Sequence, residues 1–329
     1  MIKNSKLEIR NLMSSIHKSV LFEETIEGMK LKNGSIVVDA TLGGGGHSLE
    51  ILERIMPDGK LIAFDQDGRA VEAFRKKIDA DARLREYGEK IILINENFEK
   101  IKECLEDLEI AGVDAIMADL GISSDQLEDE DLGISFRFDS PLDMRLDRKR
   151  ELTAEKVVNG YSEEELTKVL REFGDEKYAK SIARGICKAR EEKRITKTKE
   201  LISIIEGSVP GMYRRGKIHF ATKTFQALRI EVNSELEVLK KLVADGTEAL
   251  LKKGRLAIIT FHSGEDRIVK NLFRELSRGC VCPPELPICR CGREPIAKLV
   301  TRKAIVPTEK EVEENPRARS AKLRIIEKI

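Results

Sequence analysis

Along the first third of the chain, short apolar runs rich in β-branched residues alternate with segments whose apolar positions recur every three or four residues. Ser35-Ile36-Val37-Val38-Asp39 is the first run. A glycine turn, Gly43 to Gly46, follows it. From His47 to Met56 the residues Leu49, Leu52, Ile55 and Met56 then share one helical face. Pro57-Asp58-Gly59 ends that helix. Lys60 to Phe64 reads as the second strand, Arg69 to Ile78 as a helix and Ile91 to Ile94 as the third strand. Ile101 to Leu108 reads as a helix, and Asp114 to Ala118 as a fourth strand ending at Asp119. This alternation predicts βαβ units and a parallel sheet. The strands are apolar without interruption, as expected where helices cover both faces.

The pattern lapses between Asp139 and Lys217, where helical segments occur without a strand. Ser162-Glu163-Glu164-Glu165 is a capping signature opening a helix through Leu166, Val169, Leu170 and Phe173. Lys177 to Arg190 reads as another helix. The sheet pattern returns after Phe220, with a long helix over Thr224 to Leu251 and a strand over Arg255 to Thr260. A helix over Asp266 to Leu276 precedes two late strands within Ala297 to Ile305 and Ala321 to Ile326. The expectation is one α/β domain, residues 1–138 and 218–329, interrupted by an all-helical insert, residues 139–217. A chain of 329 residues is long enough for both.

Composition narrows the class. Hydrophobic residues make up 41% and charged residues 36%, so the chain is globular with a highly charged surface. Lys and Arg number 59 against 58 Asp and Glu, which excludes a uniformly basic coat but not a local basic patch. Aromatic residues are only 5% and Trp is absent, so a surface built mainly of stacking rings is not expected. No stretch approaches the ~20 apolar residues that span a bilayer, and Met1 to Lys6 leads into no apolar run of signal length. The expected location is therefore cytoplasmic.

Asp39-Ala40-Thr41-Leu42-Gly43-Gly44-Gly45-Gly46-His47-Ser48 lies between a strand and a helix, where glycines expose backbone amides to a ligand. A P-loop requires Lys after the last glycine, and His47 stands there. A dinucleotide fingerprint requires a third small residue, which Leu49 fails and Ser48 only approaches. S-adenosylmethionine fits an acidic residue after each of the first two strands, Asp39 and Asp65. The Asp65 carboxylate would accept both ribose hydroxyls, but it would do the same for NAD. A plain tight turn, with Asp65 as a helix cap, also stands.

Longer blocks add to this. His17-Lys18-Ser19-Val20-Leu21, Asp39 to Ser48, Asp119-Leu120-Gly121-Ile122-Ser123-Ser124 and Pro141-Leu142-Asp143-Met144-Arg145 occur in that order. Thr224 to Ile230, Phe261 to Lys270 and Pro316 to Arg324 follow. In order and spacing the chain resembles the RsmH (MraW) family of 16S rRNA cytosine-N4 methyltransferases, nearly end to end. The resemblance implies a class I S-adenosylmethionine-dependent methyltransferase fold, Rossmann-like, with a mostly parallel seven-stranded sheet and a helical substrate domain. It implies methyl transfer to a decoding-centre (P site) cytidine, with 16S rRNA of the small ribosomal subunit as partner. It places the cofactor against Gly45, Gly46, His47, Asp65, Phe98, Asp119 and Gln126. The chain departs from the family at Asp125, where Pro is usual, and at Gly264, where Leu is usual. An RNA-binding or ribosome-assembly protein with a vestigial methylase site is the other functional class; the intact glycine turn and Asp65 argue against it.

Cytosine's exocyclic amine is a poor nucleophile because its lone pair is delocalised into the ring. A carboxylate that accepts its N–H draws the nitrogen toward tetrahedral geometry and stabilises growing positive charge. Asp119, at the end of the fourth strand, is the candidate, with direct contact to the cofactor as its other role. His262, after the fifth strand, is the candidate proton acceptor, with loop or RNA positioning as the alternative. His47 shapes the turn, and His17 is assigned no role.

The insert holds 19 basic against 15 acidic residues, with seven basic and two acidic between Arg184 and Lys199. Arg278 to Ile329 holds 12 basic against 7 acidic. Both regions suit phosphate contacts, and a solvated helix face is the alternative for the insert. Tyr161, Tyr178, Tyr213 and Phe220 are candidates either for base stacking or for packing. Cys280-Val281-Cys282 and Cys289-Arg290-Cys291 offer four thiols. Their C-x-C spacing is tighter than the usual zinc knuckle, so no metal is assigned and reactive thiols stand beside zinc as a reading.

Overall fold

The computed structural model describes residues 19–280, 282 and 290–329. His17 and Cys289 lie outside the described residues. Two compact units are present: residues 1–121 with 237–329, and residues 122–236.

The first unit is built on a seven-stranded sheet: β1 (Ile36–Asp39), β2 (Lys60–Phe64), β3 (Ile91–Ile94), β4 (Val113–Asp119), β5 (Leu250–Thr260), β6 (Ala297–Leu299) and β7 (Lys322–Lys328). Its order is β3-β2-β1-β4-β5-β7-β6. The strands from β3 to β5 pair in parallel; β7 pairs antiparallel with both β5 and β6. This is the mostly parallel α/β sheet that the alternating pattern predicts. Successive residues of each strand feed opposite faces. Val37, Leu61, Met117, Ile259 and Ile325 enter one core; Val38, Ile62, Ile116, Ile258 and Ile326 enter the other. The middles of the parallel strands are therefore apolar on both faces, because helices cover each side. Strand order reverses between β1 and β4, so the carboxyl ends of these strands flank the switch point where such sheets bind ligands. Asp39 and Asp119 are the last residues of β1 and β4.

The second unit is helical and has its own core, including Leu132, Leu166, Leu170, Ile182, Ile205 and Phe225. It is wider than the expected insert of 139–217, because Leu132 and Ile134 on one side and Leu228 and Val232 on the other pack into that core. The single helix expected over Thr224 to Leu251 is two, Thr222–Asn233 and Glu235–Ala249. Ser234 between them has φ 52°, a left-handed conformation that ends a helix. Asn233, 3% exposed, secures the break. Its Nδ2 donates to the carbonyls of Met144 and Arg229, and its Oδ1 accepts the Leu146 N–H. No described helix is long and apolar enough to cross a membrane.

Candidate active site

The turn after β1 is shaped by its own protein. Gly45 has φ +79°, and a Cβ there would lie 2.3 Å from ring carbons of Phe74, so only glycine fits. Gly45 caps the helix Gly46–Ile55. A Cβ on Gly46 would meet the Ser19 hydroxyl, whereas one on Gly44 would meet nothing within 4 Å. The open face of the turn is therefore at Gly44.

Asp39 holds the turn rather than facing outward. It is 1% exposed; its Oδ2 accepts the Ser48 hydroxyl at 2.6 Å and its Oδ1 accepts the Thr41 N–H at 3.0 Å. Burial pushes its pKa up to about 6. Asp65, directly after β2, accepts the Gly43 N–H at 2.8 Å and the Asp67 N–H at 2.8 Å, and burial pushes it too up to about 6. Around it, Asn95 donates to the Asp65 carbonyl at 2.9 Å, and Asn97 donates to Gln66 Oε1 at 2.9 Å. Phe98 opens the turn after β3 and is half-buried.

Asp119 differs from both. Its backbone N–H donates to Thr41 Oγ1 at 2.6 Å, but its side-chain Oδ1 is buried with no hydrogen-bond partner. Burial first, and then the Asp39 and Glu265 carboxylates, push its pKa up to about 7. Asp65 likewise raises Asp39. Four carboxylates, Asp65, Asp39, Asp119 and Glu265, thus form an electrostatically coupled row near the carboxyl ends of β2, β1, β4 and β5. Such a row repels phosphate and attracts a cation.

His262 caps the helix Ser263–Leu276. Its Nδ1 accepts the N–H groups of Gly264 at 3.2 Å and Glu265 at 3.4 Å. An acceptor Nδ1 requires the neutral ring to carry its proton on Nε2. Nε2 lies 3.2 Å from Glu265 Oε1 without the alignment of a hydrogen bond. The ring's lone pair is therefore directed to the helix, which favours the positioning alternative over the role of proton acceptor. Glu265, 3% exposed, completes the reciprocal cap by accepting the N–H groups of Phe261 at 2.8 Å and His262 at 3.2 Å. His47 is 6% exposed, lies 5.5 Å from the Phe22 ring, and is pushed down to about 4 by burial, so it is neutral. Its Nε2 has no hydrogen-bond partner.

Gln126 belongs to the second unit. There its Oε1 accepts the Ser123 N–H at 3.1 Å and its own N–H donates to Ser123 Oγ at 3.1 Å, a capping box. Sequence reasoning singled out Asp39, Asp65 and Asp119 but passed over Thr41, Gln66, Asn97 and Glu265. A signal existed only for Glu265, which stands three residues after a capping His262.

The second unit's basic run is largely partnered. Arg190 donates to the Val158 carbonyl, Lys193 pairs with Glu200 at 2.6 Å and Arg194 with Glu155 at 2.7 Å. Tyr161 donates to Glu231 and Tyr213 to Glu176, and Tyr178 packs edge-on against Tyr213. Arg215 and Lys217 are exposed and form no ion pair among the described residues; they stand beside exposed Met212 and Ile218.

The family model described as the MraW methylase family matches residues 14–329. The chain is similar to ribosomal RNA small subunit methyltransferase H of Acetivibrio thermocellus, 51% identical over 314 residues, 95% of this chain and 99% of that one. The proteins of the same name from Clostridium botulinum (strain Kyoto / Type A2) and Finegoldia magna are 50% and 49% identical. Both alignments cover 95% of this chain, with 99% and 98% of the relatives.

Proposed function

The chain belongs to the MraW methylase family, and from that premise we propose that it methylates the exocyclic N4 of a cytidine at the decoding centre of 16S rRNA. It is an S-adenosylmethionine-dependent methyltransferase, and the residues present suit that cofactor. The coupled carboxylates of Asp65, Asp39, Asp119 and Glu265 favour a cationic ligand over the phosphates of NAD or ATP. The face at Gly44 is open, and Asp65 retains lone pairs beyond those that accept the Gly43 and Asp67 amides. In this reading Asp65 takes the ribose hydroxyls, with Gly45, Gly46, His47 and Phe98 as further cofactor-side residues.

The cofactor supplies an electrophilic methyl group on a sulfonium. Everything else falls to the chain. The observation that carries the reading is the buried, unpartnered Oδ1 of Asp119. An acceptor with nothing to accept costs free energy unless a donor arrives, and an amine N–H is such a donor. With the methyl group supplied by the bound cofactor, positive charge would grow on the receiving nitrogen and the Asp119 contact would strengthen. Its raised pKa would then suit Asp119 to take the departing proton, a role for which His262, with Nδ1 turned to the helix amides, is the poorer candidate. The exposed Arg215 and Lys217 supply phosphate contacts from the second unit.

The test uses labelled S-adenosylmethionine with naked 16S rRNA and with assembled small subunits, followed by digestion to nucleosides. Label on N4-methylcytidine is the expected result. Label on a ring carbon, on ribose or on another base would overturn the assignment.

A further inference from the structure

Between the helix Ser263–Leu276 and β6 the chain makes a long excursion, Ser277 to Pro295. Its base is closed by the Ile296 N–H donating to the Leu276 carbonyl at 2.9 Å. The described residues of this excursion contain three thiols, those of Cys280, Cys282 and Cys291, whose sulfurs all lie within 4.8 Å of one another. The Cys280 and Cys291 sulfurs are 3.8 Å apart. A disulfide requires about 2.05 Å. Two thiolates on one tetrahedral zinc, each at about 2.3 Å, stand roughly 3.8 Å apart.

Two backbone amides point at these sulfurs. The Cys282 N–H donates to Cys280 Sγ at 3.4 Å and the Arg290 N–H donates to Cys282 Sγ at 3.3 Å. Backbone amides that donate to sulfur orient it, as the groups around a metal's ligands do. Three converging sulfurs without carboxylate or imidazole select a soft ion that accepts tetrahedral geometry.

We propose that Cys280, Cys282 and Cys291 hold a structural zinc ion that ties Cys280 and Cys282 to Cys291, with the fourth coordination position taken by a further donor. Three sulfurs converging on one point would let a bound ion cross-link the described ends of this segment. The site lies apart from Asp119 in the chain and takes no part in methyl transfer; its effect is local order.

The test measures metal in the full-length protein purified without added metal, by elemental mass spectrometry. About one zinc per chain is expected, with loss to background in Cys280→Ser/Cys291→Ser. Because that variant also removes two polar groups from the loop, wild-type protein stripped with chelator is titrated with Co²⁺. The visible d–d bands of tetrahedral thiolate cobalt should appear and then be erased by one equivalent of Zn²⁺. Thiol labelling of the native protein should be slow before chelation and fast after it. Sub-stoichiometric metal that zinc addition does not restore would overturn the proposal, as would an iron–thiolate chromophore in place of zinc. A Cys280–Cys291 disulfide in the native protein, or full metal retention by Cys280→Ser/Cys291→Ser, would do the same.

Discussion

The backbone N–H of Asp119 donates to the hydroxyl of Thr41 at 2.6 Å, tying the end of β4 to the turn after β1 across the sheet's switch point. The bond fixes where the Asp119 carboxylate starts from while leaving its Oδ1 without a partner. Thr41→Val keeps the shape and removes the acceptor, so the amide is stranded at a cost of about 1–3 kcal/mol. Chemical denaturation should show that loss, and single-turnover methyl transfer should slow. Thr41→Ser should restore both. Normal rate and stability in Thr41→Val would mean the bond positions nothing.

Asp119→Asn tests charge at nearly constant size. Single-turnover methyl transfer should fall by about 10²–10³-fold, and saturating cofactor should not rescue it. The wild-type rate should rise with pH through about 7 as the carboxylate ionises, and the variant should lack that limb. The same shift has a stability consequence. Asp119 is raised from 3.8 to about 7, so the folded state holds a proton that the unfolded state releases. Stability from this group is complete at low pH and is lost as pH climbs between those values. At pH ~8 Asp119→Asn should therefore be more stable than wild type, by on the order of 1–3 kcal/mol. A destabilised, fully active variant would remove Asp119 from the chemistry.

His262→Asn separates a helix cap from a base. Asn caps a helix about as well as any residue, so the helix Ser263–Leu276 should keep its stability. Methyl transfer should stay within a few-fold of wild type, with an unchanged pH profile, because Nδ1 of His262 already accepts the Gly264 and Glu265 amides. His262→Ala should cost about 1 kcal/mol in a thermal or chemical melt. A rate collapse in His262→Asn with its fold intact would return the histidine to the catalytic list.

For RNA binding, reversal of charge at Arg215 and Lys217 should outweigh reversal at Lys193 and Arg194, which are already paired with Glu200 and Glu155. Affinity for rRNA should fall and its salt dependence should flatten by up to about two phosphate contacts. Cofactor affinity, followed by calorimetry, should not change. Equal RNA binding in wild type and the Arg215/Lys217 variant would place the phosphate contacts elsewhere.

The parallel sheet was legible in the sequence because strands buried on both faces must be apolar at every position, and Val37-Val38, Leu61-Ile62 and Ile91-Ile92 are. The placement of Asp39, Asp65 and Asp119 at strand ends was legible for the converse reason. A charged residue ending such a run stands where the sheet stops and a ligand can begin, so pattern alone marks it. The family blocks added the cofactor and the reaction. The helical break at Ser234 was not legible, because nothing local distinguishes that serine; the stop is secured by Asn233 reaching Met144 and Leu146, nearly ninety positions away. Nor was the extent of the second unit, since Leu132 and Val232 join its core only through tertiary packing.

The division within the site has the same origin. Sequence determined which residue types stand at the strand ends, because those depend on position along one strand. Only the tertiary structure decided which of them are spent and which remain available. Asp39 is satisfied by Ser48 and Thr41, and His262 by two helix amides, while Asp119 keeps an acceptor unpaired. A side chain's protonation and reactivity are set by what surrounds it in three dimensions: how far it is from water, which charges face it and which donors reach it. Those neighbours come from β1, β4 and β5, strands more than two hundred residues apart at their extremes, and no local pattern records them.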